Sequence, residues 1–434
     1  MLMDIDDAHD TPVYDGAMSS PWARAAAAAN TYDQAGHAVL PTVYERTTAA
    51  AISHEAVNLG QGFPDQEGPQ WLLDAAAAAI TEPHTGPPNQ YAPGMGLPVL
   101  REAIAEDMLR RQGVSLDPDT SIMATTGATE GIAATILAFA TAGSQVLCFE
   151  PHYDSYGACA ALAGAELVGV PLTAGDFRPD LDAFAAAISD RTSLVLLNTP
   201  HNPTGTVFTA AELEQIVELA HRHGARIMCD EVYEQLILDP EQQHRSILSI
   251  PGASDIAVAV SSAGKSFSVT GWKVGWVMGA PALINQVRGV KQFLSFSSGP
   301  AFQWAVAQGL RDDQGYLSAL RSELAEARNH LSTALDEAGL RPNSPGAGYF
   351  LLADISELTD LDDAAFCDLL AAQVGVAAIP VSALIIADQI PRNHRLRRLV
   401  RFAFCKDRHS ISEAAQRLQQ RLPKALSAAD TSRF

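Results

Sequence analysis

Lys265 lies in a short polar segment, residues 261–273, between two apolar runs at 256–260 and 274–278 that predict buried strands. The segment also contributes hydroxyl side chains, two glycines and a second lysine, Lys273. A lysine that is partly removed from water has a lowered pKa, and its neutral amine can attack a carbonyl carbon. Both lysines are equally compatible with solvated loop positions, so the segment alone leaves two interpretations open.

The elements around this segment alternate between strand and helix patterns. Strands are predicted at 122–125, 146–149, 167–170, 194–197, 226–229, 256–260 and 274–278. Helices are predicted at 128–141, 155–163, 180–188 and 210–223. This alternation predicts an α/β fold with a mostly parallel seven-stranded sheet that is covered by helices.

A helix with regularly spaced leucines begins near residue 316 and leads to a C-terminal unit in which strands at 348–353 and 399–404 mix with helices. We therefore expect a smaller α+β domain built from the two chain ends. The first residues are acidic and poor in aliphatic side chains, a composition typical of disorder. The expected segments are a disordered extension at 1–39, an N-terminal arm with part of the small domain at 40–75, a large domain at 76–318 and a C-terminal small domain at 319–434.

Composition narrows the class of protein. The 434 residues include 29 Lys and Arg against 50 Asp and Glu, a net charge of −21, which disfavours binding to nucleic acid or anionic lipid. No apolar run reaches membrane-spanning length, and the acidic start lacks the pattern of a signal peptide. The five cysteines are scattered without a CxxC pair, which is typical of reduced core residues. We expect a cytoplasmic protein that acts on small molecules.

Polar residues follow most of the predicted strands, and ligands of open parallel sheets bind beyond the carboxyl ends of strands. After the first strand, a glycine turn opens a helix whose free N–H groups suit a phosphate. The residues after the other strands offer a ring, an amide, a carboxylate, a phenol, a hydroxyl and an amine: Tyr153, Asn202, Asp230, Tyr233, Ser262 and Lys265. Each has an ordinary structural explanation by itself, but together they predict a cofactor pocket.

This inventory matches the needs of pyridoxal 5′-phosphate (PLP), and the sequence resembles the class I aminotransferases of fold type I over residues 40–425. The motifs that carry the resemblance occur in one order: N-L-G-Q-G-F-P, N-x-P-x-N-P-x-G, D-E-V-Y, and S-x-G-K with T-G-W-K downstream. The resemblance implies a fold type I PLP-dependent transferase that moves an amino group from an L-amino acid to a 2-oxo acid, expected to be 2-oxoglutarate.

The resemblance also implies roles for individual residues. Lys265 would bind the cofactor covalently and move the proton of the substrate, and Asp230 would keep the pyridine nitrogen protonated. Asn202 and Tyr233 would bond the ring's 3′-oxygen, while Tyr153 would stack on the ring. The residues implied for the phosphate are Ala128, Thr129, Ser262 and Lys273. Those implied for the substrate carboxylate are Gly62, Asn202 and Arg401, the last through a two-pronged guanidinium contact.

A homodimer with shared active sites is implied as well. Tyr91, in a glycine-rich loop outside the sheet, would reach the phosphate bound by the neighbouring subunit. Apolar Phe293, Leu294 and Phe296 would line the subunit boundary.

Within the family, the sequence is similar to the kynurenine, methionine and N-succinyldiaminopimelate aminotransferases. The phrases at 153–156, 374–380 and 401–406 most resemble the N-succinyldiaminopimelate enzymes of lysine biosynthesis. A kynurenine-, methionine- or glutamine-type aminotransferase and a PLP-dependent cysteine-conjugate C–S β-lyase stay open as alternatives. Substrate selectivity is expected from the side chains of Tyr44, His152, Tyr153, Phe293 and Tyr349, which offer apolar walls and no obvious second cation.

A metal site is not expected. His221 and His223, near Cys229 and Asp230, suggest one, but the two histidines end a predicted helix before Gly224. Histidine is favoured at that position by the helix dipole alone.

Overall fold

The structure is a computed structural model that describes residues 20–431 apart from 34, 36–37, 83–85, 387–388 and 392–393, with side chains described as far as residue 428. Within this part of the chain, no helix combines the length and apolar character that a membrane span needs.

A seven-stranded sheet forms the centre of the molecule. Its strands are β1 (Ile122–Thr126), β2 (Gln145–Glu150), β3 (Glu166–Pro171), β4 (Thr192–Asn198), β5 (Arg226–Asp230), β6 (Ala257–Ser262) and β7 (Val274–Gly279). They lie in the order β1-β7-β6-β5-β4-β2-β3, and only β7 runs antiparallel to its neighbours. All seven predicted strands are confirmed, with boundaries that differ by at most two residues.

Both faces of this sheet are buried. Leu147, Val195 and Ile227 belong to one hydrophobic core, while the adjacent residues of the same strands, such as Val146 and Leu194, belong to another. Successive side chains of a strand point to opposite faces, so each face carries its own apolar layer. The prediction of a sheet covered by helices is therefore confirmed.

The helices that cover the sheet begin and end where local sequence favours it. Thr209, for example, forms a capping box with Glu212 at the start of Ala210–Arg222. The four helices predicted between the strands are confirmed within two residues. The α-helices are Pro21–Ala28, Val43–Ser53, Gln70–Thr81, Pro98–Gln112, Gly127–Phe139, Ser155–Leu162, Leu181–Ala187, Ala210–Arg222, Ala263–Ser266, Pro281–Lys291, Pro300–Arg311, Tyr316–Glu337, Asp363–Leu369 and Arg408–Thr431.

A second sheet is built from the C-terminal part of the chain. Its strands are antiparallel and lie in the order β8-β9-β11-β10: β8 (Arg341–Pro342), β9 (Phe350–Asp354), β10 (Ile379–Pro380) and β11 (Leu399–Ala403). Residues near the N-terminus join this unit, because Val57–Asn58 pairs in parallel with Val376–Ala377. The division of the chain into segments at 75/76 and 318/319 stays a prediction.

Among the described residues of the segment 1–39, for which disorder was expected, the structure contains a helix. Residues 1–19 lie outside the described residues, but Pro21–Ala28 is a helix that packs on Ser155–Leu162. Pro21 sets the first turn, alanine has the highest helix propensity, and small side chains allow a close approach. A Cβ at Gly157 would lie 2.8 Å from the backbone oxygen of Ala28, which shows how close the two helices are.

Candidate active site

A cavity of about 290 Å³ opens where β1, β4, β5 and β6 end. The polar strand ends predicted from the sequence meet there, together with residues of the second sheet. Eleven of the predicted site residues line it: Gly62, Ala128, Thr129, Tyr153, Asn202, Asp230, Tyr233, Ser262, Lys265, Lys273 and Arg401. Among the residues predicted to bind the cofactor or the substrate carboxylate, Tyr91 alone is not among the described lining residues.

Lys265 lies on the one-turn helix Ala263–Ser266, directly after β6. Its Nζ donates to the backbone oxygen of Gly62 at 3.4 Å and lies 5.4 Å and 5.9 Å from the ring centroids of Tyr349 and Tyr233. Burial lowers the pKa of Lys265 to about 8, although the nearby Asp230 carboxylate opposes that shift. A much larger fraction of this amine is therefore neutral at physiological pH than for an ordinary lysine.

Lys273 has different surroundings. It has a left-handed backbone with φ 53°, and its Nζ lies 3.5 Å from Oγ1 of Thr129, at the start of the helix Gly127–Phe139. Gly127 makes room for this lysine, since a Cβ there would lie 2.9 Å from Cε of Lys273. The ammonium thus lies beside a helix N-terminus. Together, the ammonium and the unpaired backbone N–H groups of the helix can bind an anion.

Asp230 ends β5 and is almost fully buried. Oδ2 accepts a hydrogen bond from the phenol of Tyr156 at 2.7 Å, and Oδ1 accepts one from the backbone N–H of Val232 at 3.3 Å. Burial raises the pKa of Asp230 to about 6, and the Tyr156 hydrogen bond opposes the rise. The carboxylate is therefore ionised at neutral pH and can hold a protonated ring nitrogen. No sequence pattern indicated this role of Tyr156, which lies three residues after Tyr153.

Asn202 and Tyr233 flank Arg401 and Lys265. The backbone N–H of Asn202 donates to Oδ1 of Asn198 at 2.7 Å, which fixes the turn after β4. Its side-chain oxygen accepts from Nη1 of Arg401 at 3.2 Å. The ring of Tyr233 is buried, and burial raises the pKa of its phenol well above the usual value. The phenol therefore stays protonated and is a hydrogen-bond donor.

Arg401 lies in the middle of β11 and is 1% exposed. Nη2 donates to the backbone oxygen of Gly60 at 2.8 Å, and the guanidinium lies 4.1 Å from the ring centroid of Phe350. Its buried Nε–H has no hydrogen-bond partner among the described residues. A buried guanidinium with a free donor favours an anionic acceptor, and a substrate carboxylate suits it.

Gly62 packs closely against the second sheet. Its backbone oxygen accepts from the phenol of Tyr349 at 2.7 Å, as well as from Lys265. A Cβ at this position would overlap with the ring of Phe350. Only glycine lets this loop come so near to β9.

The side chains expected to select the substrate are only partly those in the cavity. Tyr44 and Tyr153 line it, whereas Phe293 is 82% exposed, and His152 and Tyr349 are buried outside the described lining. The expectation that Tyr349 forms a wall of the cavity is wrong. Its phenol donates to the backbone oxygen of Gly62, and Tyr349 is not among the described lining residues. The walls that the sequence did not predict include Gln61, Phe63 and Phe350.

The suggested histidine site does not assemble among the described residues. Nε2 of His221 lies 2.5 Å from the backbone oxygen of Gly252, and Nδ1 of His223 lies 3.0 Å from Oδ1 of Asp190, while Cys229 is fully buried.

A group not foreseen from the sequence is Glu231, Glu234 and His244, whose polar atoms lie within 4.8 Å of one another. Protein donors already bond both carboxylates of that group: Ile247 N–H, Ser261 and Arg111.

Comparisons with known proteins identify the family of the chain. The family model "Aminotransferase class I and II" matches residues 54–418. A probable N-succinyldiaminopimelate aminotransferase of Mycobacterium tuberculosis is 43% identical, covering 87% of this chain and 95% of that protein. The methionine aminotransferase of Escherichia coli is 40% identical with the same coverage of both. The solved M. tuberculosis N-succinyldiaminopimelate aminotransferase structure has a TM-score of 0.83 at 42% identity, covering 87% of this chain and 97% of that chain.

The donor set fits PLP group by group. The cradle of Thr129, Ser262 and Lys273 at a helix N-terminus suits a phosphate, the buried carboxylate suits a pyridinium, and the low-pKa lysine suits a carbonyl. The fold, this donor set and the match over most of the chain lead to one conclusion. The chain belongs to the class I and II aminotransferase family of fold type I and is a PLP-dependent enzyme.

Proposed function

We propose that the enzyme is an N-succinyldiaminopimelate aminotransferase of lysine biosynthesis. It exchanges an amino group reversibly between N-succinyldiaminopimelate as donor and 2-oxoglutarate as acceptor. The observation that carries this proposal is the 43% identity to the M. tuberculosis protein of that name, against 40% for the methionine enzyme and 33% for a mouse kynurenine enzyme. We place the activity in the cytoplasm, since all five cysteines are buried free thiols.

The proposed roles follow from what each side chain touches. Bound PLP supplies the carbonyl that takes up the amino group and the ring that withdraws electrons from the donor's Cα. Lys265 would hold the cofactor covalently, and its amine would move the Cα proton of the donor. Asp230, kept ionised by Tyr156, would hold the ring nitrogen protonated. Asn202 and Tyr233 would bond the ring's 3′-oxygen, and Tyr153 would stack on the ring.

Arg401 is proposed to bind the α-carboxylate of every donor and acceptor. It lies on β11 with one unsatisfied donor, and Asn202 fixes the opposite edge of its guanidinium. The loop that carries Gly62 closes the same end of the cavity. These contacts orient the donor but do not distinguish one amino acid from another.

A second candidate is a methionine or kynurenine aminotransferase, and the cavity itself favours it. The described lining contains three cationic side chains, Lys265, Lys273 and Arg401, and each already has a proposed role. Phe63 and Phe350 add apolar walls that suit a thioether or an aromatic side chain. None of the remaining lining residues offers a cation to a second substrate carboxylate.

The deciding experiment is a panel of kcat/KM values with 2-oxoglutarate. N-succinyldiaminopimelate is expected to exceed methionine, glutamine and kynurenine by at least tenfold, about 1.4 kcal/mol of transition-state binding. A tenfold preference for one of the other three assigns the enzyme to the second candidate. Release of pyruvate and ammonia from a cysteine conjugate without any oxo acid identifies a C–S β-lyase.

We also propose a homodimer in which Tyr91 reaches the neighbouring active site. Tyr91 is 86% exposed and packs edge-on against Phe296, at 5.7 Å between ring centroids. Phe293 and Leu294 lie exposed beside it, and Ser295 bonds Oγ1 of Thr126 at 3.0 Å, next to the phosphate cradle. An exposed apolar patch of this kind indicates a protein interface.

Light scattering tests the dimer. Phe293→Ser should weaken association and cofactor retention together, whereas Leu109→Ser, at another exposed apolar side chain, should change neither. A wild-type monomer with full activity at working concentration contradicts the proposal.

A further inference from the structure

The loop formed by residues 59–65, here the Gly62 loop, forms one wall of the cavity and is anchored at both ends. At its first end, the backbone N–H of Ala403 donates to the oxygen of Leu59 at 2.6 Å, and Arg401 donates to the oxygen of Gly60 at 2.8 Å. Both anchors come from β11. The first half of the loop is therefore fixed by the strand that carries the carboxylate-binding arginine.

The second end is held by the ammonium group of Lys406 together with a backbone hydrogen bond from the N–H of Asp65 to the oxygen of Cys405 at 3.3 Å. Nζ of Lys406 donates to the backbone oxygen of Phe63 at 2.9 Å and to Oδ1 of Asp65 at 2.9 Å. The same nitrogen lies 4.2 Å from the ring centroid of Phe63. The lysine side chain is 4% exposed, whereas that of Asp65 is 28% exposed, so the ammonium itself is shielded from water. Shielding strengthens cation–π and charge-assisted interactions.

Lys406 thus fixes both the backbone and the ring of Phe63. Asp65 is itself held in place, because its Oδ2 accepts from the backbone N–H of Asp407 at 3.2 Å. Phe63 lines the cavity, whereas Lys406 is not among its described lining residues. The lysine therefore acts on the substrate only through the residue that it holds.

We propose that Lys406 is a positioning residue that sets the affinity for the amino donor by holding Phe63 and the Gly62 loop in their binding geometry. The inference rests on the proposed function in one respect, namely that this cavity binds the amino donor. Without the ammonium, the backbone oxygen of Phe63 and Oδ1 of Asp65 lose their donor and the Phe63 ring loses its cation contact. The loop becomes more mobile, so each amino donor must order it on binding. Asp230 keeps its hydrogen bonds from Tyr156 and Val232, and Lys265 keeps its contacts with the rings of Tyr233 and Tyr349, so kcat should change little.

The test compares Lys406→Met with Lys424→Met, an exposed lysine on the last helix. For whichever donor the wild type uses best, Lys406→Met should raise KM at least tenfold while kcat stays within about threefold. The cofactor absorption spectrum should be unchanged. Lys424→Met should match the wild type, and Lys406→Arg, which keeps charge and reach, should recover part of the lost affinity.

Two outcomes overturn the inference: an unchanged KM, or an equal loss of kcat together with loss of bound cofactor. If Lys406→Met does not fold, Asp65→Asn replaces it, because this change removes the ion pair and keeps the side-chain shape. An unchanged KM in Asp65→Asn also overturns the inference. Because the best donor is used, a wrong substrate assignment does not affect the test. A wild type that transaminates no donor refutes the proposed function instead.

Discussion

Replacing Tyr156 with phenylalanine should raise the pKa of Asp230 and weaken cofactor binding at neutral pH. The phenol donates to Oδ2 at 2.7 Å, and Val232 N–H gives the only other hydrogen bond found for this carboxylate among the described residues. The hydrogen bond favours the ionised form, so its loss favours the protonated form. The ring of Tyr156 is kept, which limits the change to one oxygen atom.

The size of the effect follows from the energy of that bond. A hydrogen bond to a charged group contributes roughly 1.5–3 kcal/mol, and one pKa unit corresponds to roughly 1.4 kcal/mol. The pKa of Asp230, about 6 in the intact protein, should therefore rise by about one to two units in Tyr156→Phe. Much of the carboxyl group would then be protonated at pH 7, where the wild type is mostly ionised.

The assay is the dissociation constant of PLP from the apoenzyme between pH 5 and 8.5. Affinity should fall as the pH drops below the pKa of Asp230, and this break should move up by one to two units in Tyr156→Phe. Tyr153→Phe is the matched control, because that phenol lies in the same cavity but does not hydrogen-bond Asp230. A break at the same pH in Tyr156→Phe and wild type would refute the reasoning.

Two further predictions concern the other ends of the cofactor site. Because the pKa of Lys265 is lowered to about 8, the neutral fraction of its amine rises about tenfold per pH unit below that value. The rate of PLP addition to the apoenzyme should therefore increase from pH 6 and level off above pH 8. A rate that continues to rise up to pH 10 contradicts the lowered pKa. Gly127→Ala should raise the dissociation constant of PLP about tenfold, since the new Cβ displaces the Lys273 ammonium and φ is +71°. Gly143→Ala is the control, because Gly143 has a similar φ of +79° but no atom within 4 Å of an added Cβ. This variant should have a lower Tm and unchanged PLP binding. Equal PLP affinity in the two variants would mean that the contact between residue 127 and Lys273 does not affect cofactor binding.

The sheet and the positions of its polar ends were predictable from the sequence for a physical reason. Strands buried on both faces appear as short apolar runs, and parallel strands place their carboxyl ends at one edge. Asp230 and Lys265 follow such runs directly, so their meeting needed only the sheet topology. The resemblance to a family added the role of each residue and the cofactor.

Contacts that depend on the side-chain direction of neighbouring residues could not be predicted. Tyr349 and Phe350 are adjacent, and a shift of one residue moves a side chain to the opposite face of a strand. The sequence favoured Tyr349 as a cavity wall, but Phe350 takes that place. The bond between Tyr156 and Asp230 joins residues 74 positions apart on different elements, and no local pattern marks it.

The central claim is that Lys265, rather than Lys273, holds the cofactor. Borohydride reduction of the holoenzyme followed by peptide mapping tests it most directly. A stable pyridoxyl group is expected on Lys265 alone. In Lys265→Ala, both the pyridoxyl group and turnover are expected to be lost. A pyridoxyl group on Lys273 of the wild-type protein would contradict the account.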